Sequence, residues 1–331
     1  MSSTRTRKKR PGMILATVAA ALIVFGAVWT AVIFPALNKI PHDLEWTVQY
    51  QGNITVLDAE TSQPVTYDVV GTRTFTTVRC SGDTIYLREE ISFTDASTGQ
   101  YLPLFAGEAL LAVNRVSRAN VAGHGDEDRE GYWTFPRDVK ASGDYALWIT
   151  GNPATLEARY LGEEDFRGLH VLVYEVATPE EGLTLPASIS TPPMQLHQRI
   201  VMKVEPVCGT TVYFQERTTR TANIPVLDEM FPSTGAMTFS DVAVGDSTMV
   251  FTEETVNQLV HDAKFYHWAL PWGETYLSLV VFGLGLALGL LGWVWVSRAV
   301  SEEALEEVPA VEPVGDVVTE AQSNGAKRGL I

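Results

Sequence analysis

Two apolar runs constrain this chain more than anything else in it. Residues 13–34 and 275–297 carry no charged side chain, and each reaches the roughly 20 residues that a helix needs to cross the hydrocarbon core of a bilayer. The first run ends in Val32-Ile33-Phe34-Pro35, bulky where signal-peptide cleavage needs small residues, so it reads as an uncleaved anchor. The second is bracketed by Trp268, Trp272 and Tyr276 at one end and by Trp293 and Trp295 at the other. Rings with one polar edge and an apolar body favour the headgroup layer, so these side chains, with Arg10 and Arg298, read as interface anchors. Ala27 and Ala31 in the first span, and Gly285 and Gly289 in the second, are small residues one helical turn apart. Such steps let helix backbones approach closely, which predicts pairing of the spans within one chain or between chains of a homo-oligomer.

Charge orients the spans. Arg5, Arg7, Lys8, Lys9 and Arg10 form a basic head on a chain whose net charge is −16. Positive residues stay on the cytoplasmic side, so both termini are expected there, in the plasma (inner) membrane. The expected organisation is a basic head (1–12), a span (13–34), an extracytoplasmic domain (35–274), a second span (275–297) and a disordered acidic tail (298–331). The bilayer is then one partner. The acidic balance excludes a duplex nucleic-acid binder.

Between the spans, residues 44–50 start an extended pattern, and segments rich in Val, Ile, Thr, Tyr and Phe then recur at 65–70, 72–79, 85–93, 110–116, 156–161, 169–176, 198–204 and 211–219. Gly, Asp, Asn and Pro separate them, which marks strands and turns. Leu156, Ala158 and Tyr160 alternate with Glu157 and Arg159, the pattern of a sheet with one covered and one wet face. The expected fold class is mainly β (α+β): a twisted antiparallel sheet or half-barrel meander flanked by two transmembrane α-helices. One helix is predicted over 252–267, capped by Thr252, with Glu253 and Glu254 in its first turn and Pro271 closing it. Residues 123–131 and the proline-bearing 178–196 read as loops.

Reactive constellations are scarce. There is no phosphate-binding glycine loop, nucleophile elbow, paired-histidine zinc helix or closely spaced cysteine pair. The acidic run 126–130 lacks the ligand spacing of a calcium loop and reads as a solvated surface. These residues predict no enzyme, no cofactor and no metal. Cys80 and Cys208, the two cysteines, are a candidate disulfide in an oxidising compartment or two separate thiols. Tyr132, Trp133 and Phe135, followed by Tyr145 and Trp148, either plug an open end of the sheet or line an apolar pocket as hydrophobic-ligand contacts.

Several blocks in order resemble a bacterial family of unknown function labelled porin PorA. They are Phe34-Pro35 with Lys39-Ile40-Pro41, then 131–136, then 158–164 with Gly168-Leu169, then Val204-Glu205-Pro206, and then 251–256. Val207-Cys208-Gly209 stands where that family usually has a Thr-Gly turn, and Asn114-Arg115 where Asp-Arg is usual. The resemblance implies the same two-anchor plan. The strand meander is also similar to that of LolA-type lipoprotein carriers, whose half-barrel holds acyl chains, and the two-anchor plan to that of class B scavenger receptors. The expectation is a non-catalytic protein handling a lipid or hydrophobic envelope molecule. The alternatives are a structural or interaction protein that binds envelope proteins, and a pore as the family label suggests.

Overall fold

The structure, a computed structural model, describes residues 5–58, 61, 63–185, 193–227 and 237–306. The chain divides into two units. One is built from the residues up to Ala27 and from Leu279 on, the other from Val28–Ser278. The remainder of the expected tail, 307–331, lies outside the described residues, as do Pro186 and Pro192.

The first unit holds most of α1 (Arg5–Val28) and α4 (Leu277–Glu306). The helical runs Pro11–Leu37 and Glu253–Ser301 are long and apolar enough to cross a membrane. The helices pack through Gly12, Ala19 and Gly26 of α1, spaced at the seven-residue repeat that keeps one stripe facing a partner helix. A Cβ on Gly12 would stand 3.1 Å from the Gly292 carbonyl oxygen, and one on Gly285 would stand 3.0 Å from Ile23. Gly289 faces the Ala19 methyl, and Gly26 lies against the Phe282 ring. Ala27 and Ala31, the small-residue step expected in the first span, are exposed in the single chain and take no part in this contact. Ala27 follows Gly26 by one residue, about 100° around the helix, which takes it off the contact.

The second unit is an antiparallel sheet with a helix on it. Its strands are β1 (Glu45–Leu57), β2 (Pro64–Ser81), β3 (Thr84–Asp95), β4 (Gly107–Asn114), β5 (Tyr145–Leu147) and β6 (Leu156–Phe166). They continue as β7 (Leu169–Ala177), β8 (Leu183–Leu185), β9 (Met194–Val204), β10 (Thr211–Leu227) and β11 (Met237–Phe251). The order is β4-β3-β2-β1-β11-β10-β9-β7-β6-β5, with β8 pairing β9. Mainly β with flanking helices is therefore the class. The segments 65–70 and 72–79 are one strand, because Gly71 stays in register with Tyr50 on β1 and Phe93 on β3. β8 falls inside the expected loop 178–196, and β5 and β11 had no counterpart among the expected strands.

Local chemistry sets the turns. Arg167 and Gly168 both take positive φ (51 and 78) between Phe166 and Leu169, the two-residue hairpin geometry that matches strand twist. At the end of β3 the Asp95 carboxylate accepts from the Ser97 hydroxyl, and from Ser97 N and Thr98 N at 2.8 Å; the hydroxyl first, then the amides, lower its pKa to about 2.

The helix α3 (Glu253–Pro271) lies on the sheet and buries Val256, Leu259, Val260 and Ala263. The Thr252 hydroxyl caps it, accepting from Thr255 N at 3.2 Å. Pro271 does not close it. Trp272 N–H bonds back to the Trp268 and Ala269 carbonyls, and the chain runs through a π-turn (Trp272–Tyr276) into α4. A second π-turn, Trp29–Ile33, precedes the short α2 (Phe34–Leu37). The two turns meet: Trp29 Nε1 donates to the Gly273 carbonyl at 2.8 Å, and the Thr30 and Ser278 hydroxyls lie 2.9 Å apart. Trp268, Trp272 and Tyr276 form an exposed ladder with ring centroids 5.5 and 5.3 Å apart. Trp293, Trp295 and Arg298 are exposed, and the Arg10 side chain lies outside the described residues.

Gly52 on β1 allows the close crossing of β11, since a Cβ there would overlap the Thr248 carbonyl. We predict that Gly52→Ala lowers stability by about 2 kcal/mol or more, a typical overpacking effect. Chemical denaturation of the detergent-solubilised protein followed by tryptophan fluorescence measures this, and an unchanged midpoint would contradict the close crossing.

Candidate functional site

The concave side of the sheet is only partly filled. α3 covers one stretch of it, and beside the helix lies a cavity of about 1000 Å³, at the upper end of ordinary ligand pockets. Alternation along the central strands supplies its apolar lining. Val48 and Tyr50 come from β1, Met202 from β9, Phe214 from β10, and Met249 and Phe251 from β11. The cavity runs from Ile54 and Gly245 on the long β1 and β11 arms to Leu37, Ile40 and Leu270. Those last residues border the places where the chain passes into its two apolar helices.

Two polar clusters sit among these side chains. Arg73 Nε donates to Glu89, whose side chain is fully buried, and Thr150 bridges the pair, accepting from Arg73 Nη2 at 3.1 Å and donating to Glu89 Oε2 at 2.8 Å. Burial most strongly opposes the Arg73 charge, but Glu89 and Tyr50 together outweigh it and raise the Arg73 pKa, so the guanidinium stays protonated. Burial raises the pKa of the neighbouring Tyr50 phenol and keeps it neutral, against the pull of Arg73. In the second cluster Gln198 Nε2 donates to Glu216 Oε1 at 2.8 Å, and Asn152 Nδ2 donates to Gln198 Oε1 at 2.8 Å. Paired and bonded in this way, the groups are tolerated in an apolar wall and fix the strands around it.

The five candidate aromatics part company. Phe135 and Tyr145 are buried and pack on Tyr174, with centroids 4.9 Å and 5.9 Å from its ring, and Tyr132 packs edge-on against Tyr145. These three belong mainly to the plug. Trp133 and Trp148 line the cavity, Trp133 packing edge-on against Trp46 and Phe75. The Trp148 indole N–H is buried without a partner among the described residues. The sequence reading missed the strand residues that form most of the lining.

No disulfide joins the two cysteines. Both are free, Cys80 exposed at the end of β2 and Cys208 buried. Cys80 sits near the end of β2 and Cys208 in the turn before β10, in different surroundings. Burial pushes the Cys208 thiol up to about 11, which makes it a poor nucleophile. Its neighbour Gly209 has φ 70, and a Cβ there would overlap the Pro136 carbonyl, so this turn and the aromatic motif require each other. Among the described residues no three His, Cys, Asp or Glu side chains gather as a metal site.

A family model described as Porin PorA matches residues 11–294. The chain belongs to that family. No curated protein matches it in sequence. Two solved structures share slight likeness with this Porin PorA member. One is a putative outer membrane lipoprotein-sorting protein domain from Vibrio parahaemolyticus, at 11% identity over 68% of this chain and 94% of that one, with a TM-score of 0.15. The other is a DUF1329 family protein from Desulfovibrio piger, at 10% identity over 72% and 91%, with a TM-score of 0.17. At these scores neither bears on function.

The buried pair gives a test of the site's construction. Glu89→Leu leaves Arg73 without its carboxylate and is predicted to destabilise by about 3–5 kcal/mol, whereas adding Arg73→Met recovers most of that loss. Denaturation midpoints of the two variants decide it, and equal losses would show that the pair does not act as a unit.

Proposed function

We propose that this Porin PorA family member is a two-anchor inner-membrane protein, with both termini in the cytoplasm, whose sheet domain lies outside. There it binds a lipid or other hydrophobic envelope molecule without catalysis. The observation that carries this is the apolar cavity of about 1000 Å³, bordered at one end by Leu37 and Leu270. Such a volume walled by methionines and aromatic rings suits flexible hydrocarbon, and Met adapts to ligands of varied shape. The basic head supports the topology. Within the wall, Glu89 is tied to Arg73 and Glu216 to Gln198, which holds these two carboxylates in fixed pairs. The family name points to a pore. A membrane barrel needs apolar lipid-facing residues along every strand, and β6 instead turns Glu157 and Arg159 outward between buried Leu156 and Ala158.

Photo-crosslinking tests this reading. The full-length protein in nanodiscs carrying a trace of diazirine-acyl lipid is irradiated and its peptides are mapped. Adducts are expected on β9, β10 and β11, at Met202, Phe214 and Met249, as well as on the spans. The cavity-filling double variant Met202→Trp/Met249→Trp should reduce the strand adducts several-fold and leave those on the spans. Labelling confined to the apolar helices would end the proposal.

A further inference from the structure

At the end of the cavity beside residues 38–41, two arginines are incompletely partnered among the described residues. Lys39, Arg115, Arg118 and Arg137 all line that end. Asp83 takes up Lys39 at 2.6 Å. Arg115 gives its Nε to the Ile40 carbonyl at 2.6 Å and meets His42 Nδ1 at 3.1 Å. Arg118 has one hydrogen-bond partner among the described residues, the Phe135 carbonyl at 2.8 Å from its Nη1. Arg137 reaches Glu274 through Nη2 at 3.1 Å, while its Nε is buried without a partner. Glu45 and Asp262 line the same cavity, but neither pairs with Arg118 or Arg137 among the described residues.

A half-buried guanidinium without a carboxylate is unfavourable unless an anion completes it. Burial, opposed by Cys208 and reinforced by Arg137, holds the Arg118 pKa below its ordinary value. Arg118 and Arg137 line the same cavity closely enough to act on each other electrostatically, and guanidiniums offer the forked donors that match phosphate oxygens. The place also selects the source of the anion. Leu37 ends the first apolar helical run and lines this end of the cavity, so headgroups are the anions at hand.

We propose that Arg118 and Arg137 seat the phosphate of a bilayer phospholipid whose acyl chains lie in the apolar cavity. This deepens the lipid-binding reading and rests on it. The chains supply burial and the arginines supply discrimination, so a phosphate-bearing lipid binds in preference to a neutral one with identical tails.

The test uses the full-length protein in maltoside micelles, which contain no phosphate, with two diazirine-acyl probes of equal chain length, a phosphatidic acid and a diacylglycerol. The phosphatidic acid is expected to label β9–β11 roughly tenfold more, the size of one charge-assisted contact. Arg118→Gln and Arg137→Gln should each bring it down toward the diacylglycerol level without changing diacylglycerol labelling, and the double lysine variant should keep most of the preference. If a glutamine variant melts early, the ratio of the two probes on the native protein decides alone. Equal strand labelling by both probes would overturn the phosphate seat and leave lipid binding standing. Strand labelling by neither would overturn lipid binding and the seat with it. Protection by inorganic phosphate at probe concentration would reassign the site to a soluble anion and overturn the headgroup claim.

Discussion

The seating of α3 decides what the concave face of the sheet can do. Thr252 N–H bonds to the Gln49 carbonyl at 3.0 Å, and Gln49 N–H bonds to the Thr255 hydroxyl at 3.0 Å. β1 thus fixes the first turn of the helix with the same groups that cap it. From that point α3 lays Val256, Leu259, Val260 and Ala263 on the sheet. The Arg167–Gly168 hairpin holds it at two levels, at its first turn through Arg167 to Glu253 at 2.7 Å and three turns on through Lys264 to the Arg167 carbonyl at 2.6 Å. A helix clamped along one line of so broad a sheet cannot cover the rest of its concave side, and the cavity is what remains.

The second group of contacts explains why widely spaced blocks of sequence go together. Glu205, fully buried, accepts from Cys208 N at 2.8 Å through one oxygen and lies 2.6 Å from His267 Nδ1 with the other. Gly209 in the same turn lies beneath the Pro136 carbonyl, and Val139 N–H bonds to the Pro206 carbonyl at 2.8 Å. The aromatic motif, the Val204-Glu205-Pro206 block and the far end of α3 therefore assemble one corner of the domain. Each block is unremarkable alone because its constraint is a partner in another block.

Much of the architecture was legible in the sequence where local physics dominates. Charge-free apolar runs, period-two alternation in β6, and the Thr252 cap are written in consecutive residues. The seam between α1 and α4 was only half legible: a four-residue step picked out Ala27 and Ala31, whereas the contact follows Gly12, Ala19 and Gly26 at a longer period. β11 was missed because Asp241, Gly245 and Asp246 interrupt its pattern, and its pairing with β1 and β10 makes it a strand. The cavity was the least legible part. Its wall comes one or two residues at a time from strands whose order in the sheet is not their order in the chain, and no local pattern records that.

The chain between β4 and β5 occupies both outer edges of the sheet. On β4, the Asn114 and Leu110 amides and the Ala112 carbonyl are bonded to Ala119, Asp126 and Val121. On β5, Tyr132 bonds to both Ala146 and Trp148. An unpaired edge is a template onto which another chain can add a strand. Along β4 and β5 the edge is already taken, so strand addition is blocked at those positions, and encounters between copies there are turned toward side-chain surfaces instead.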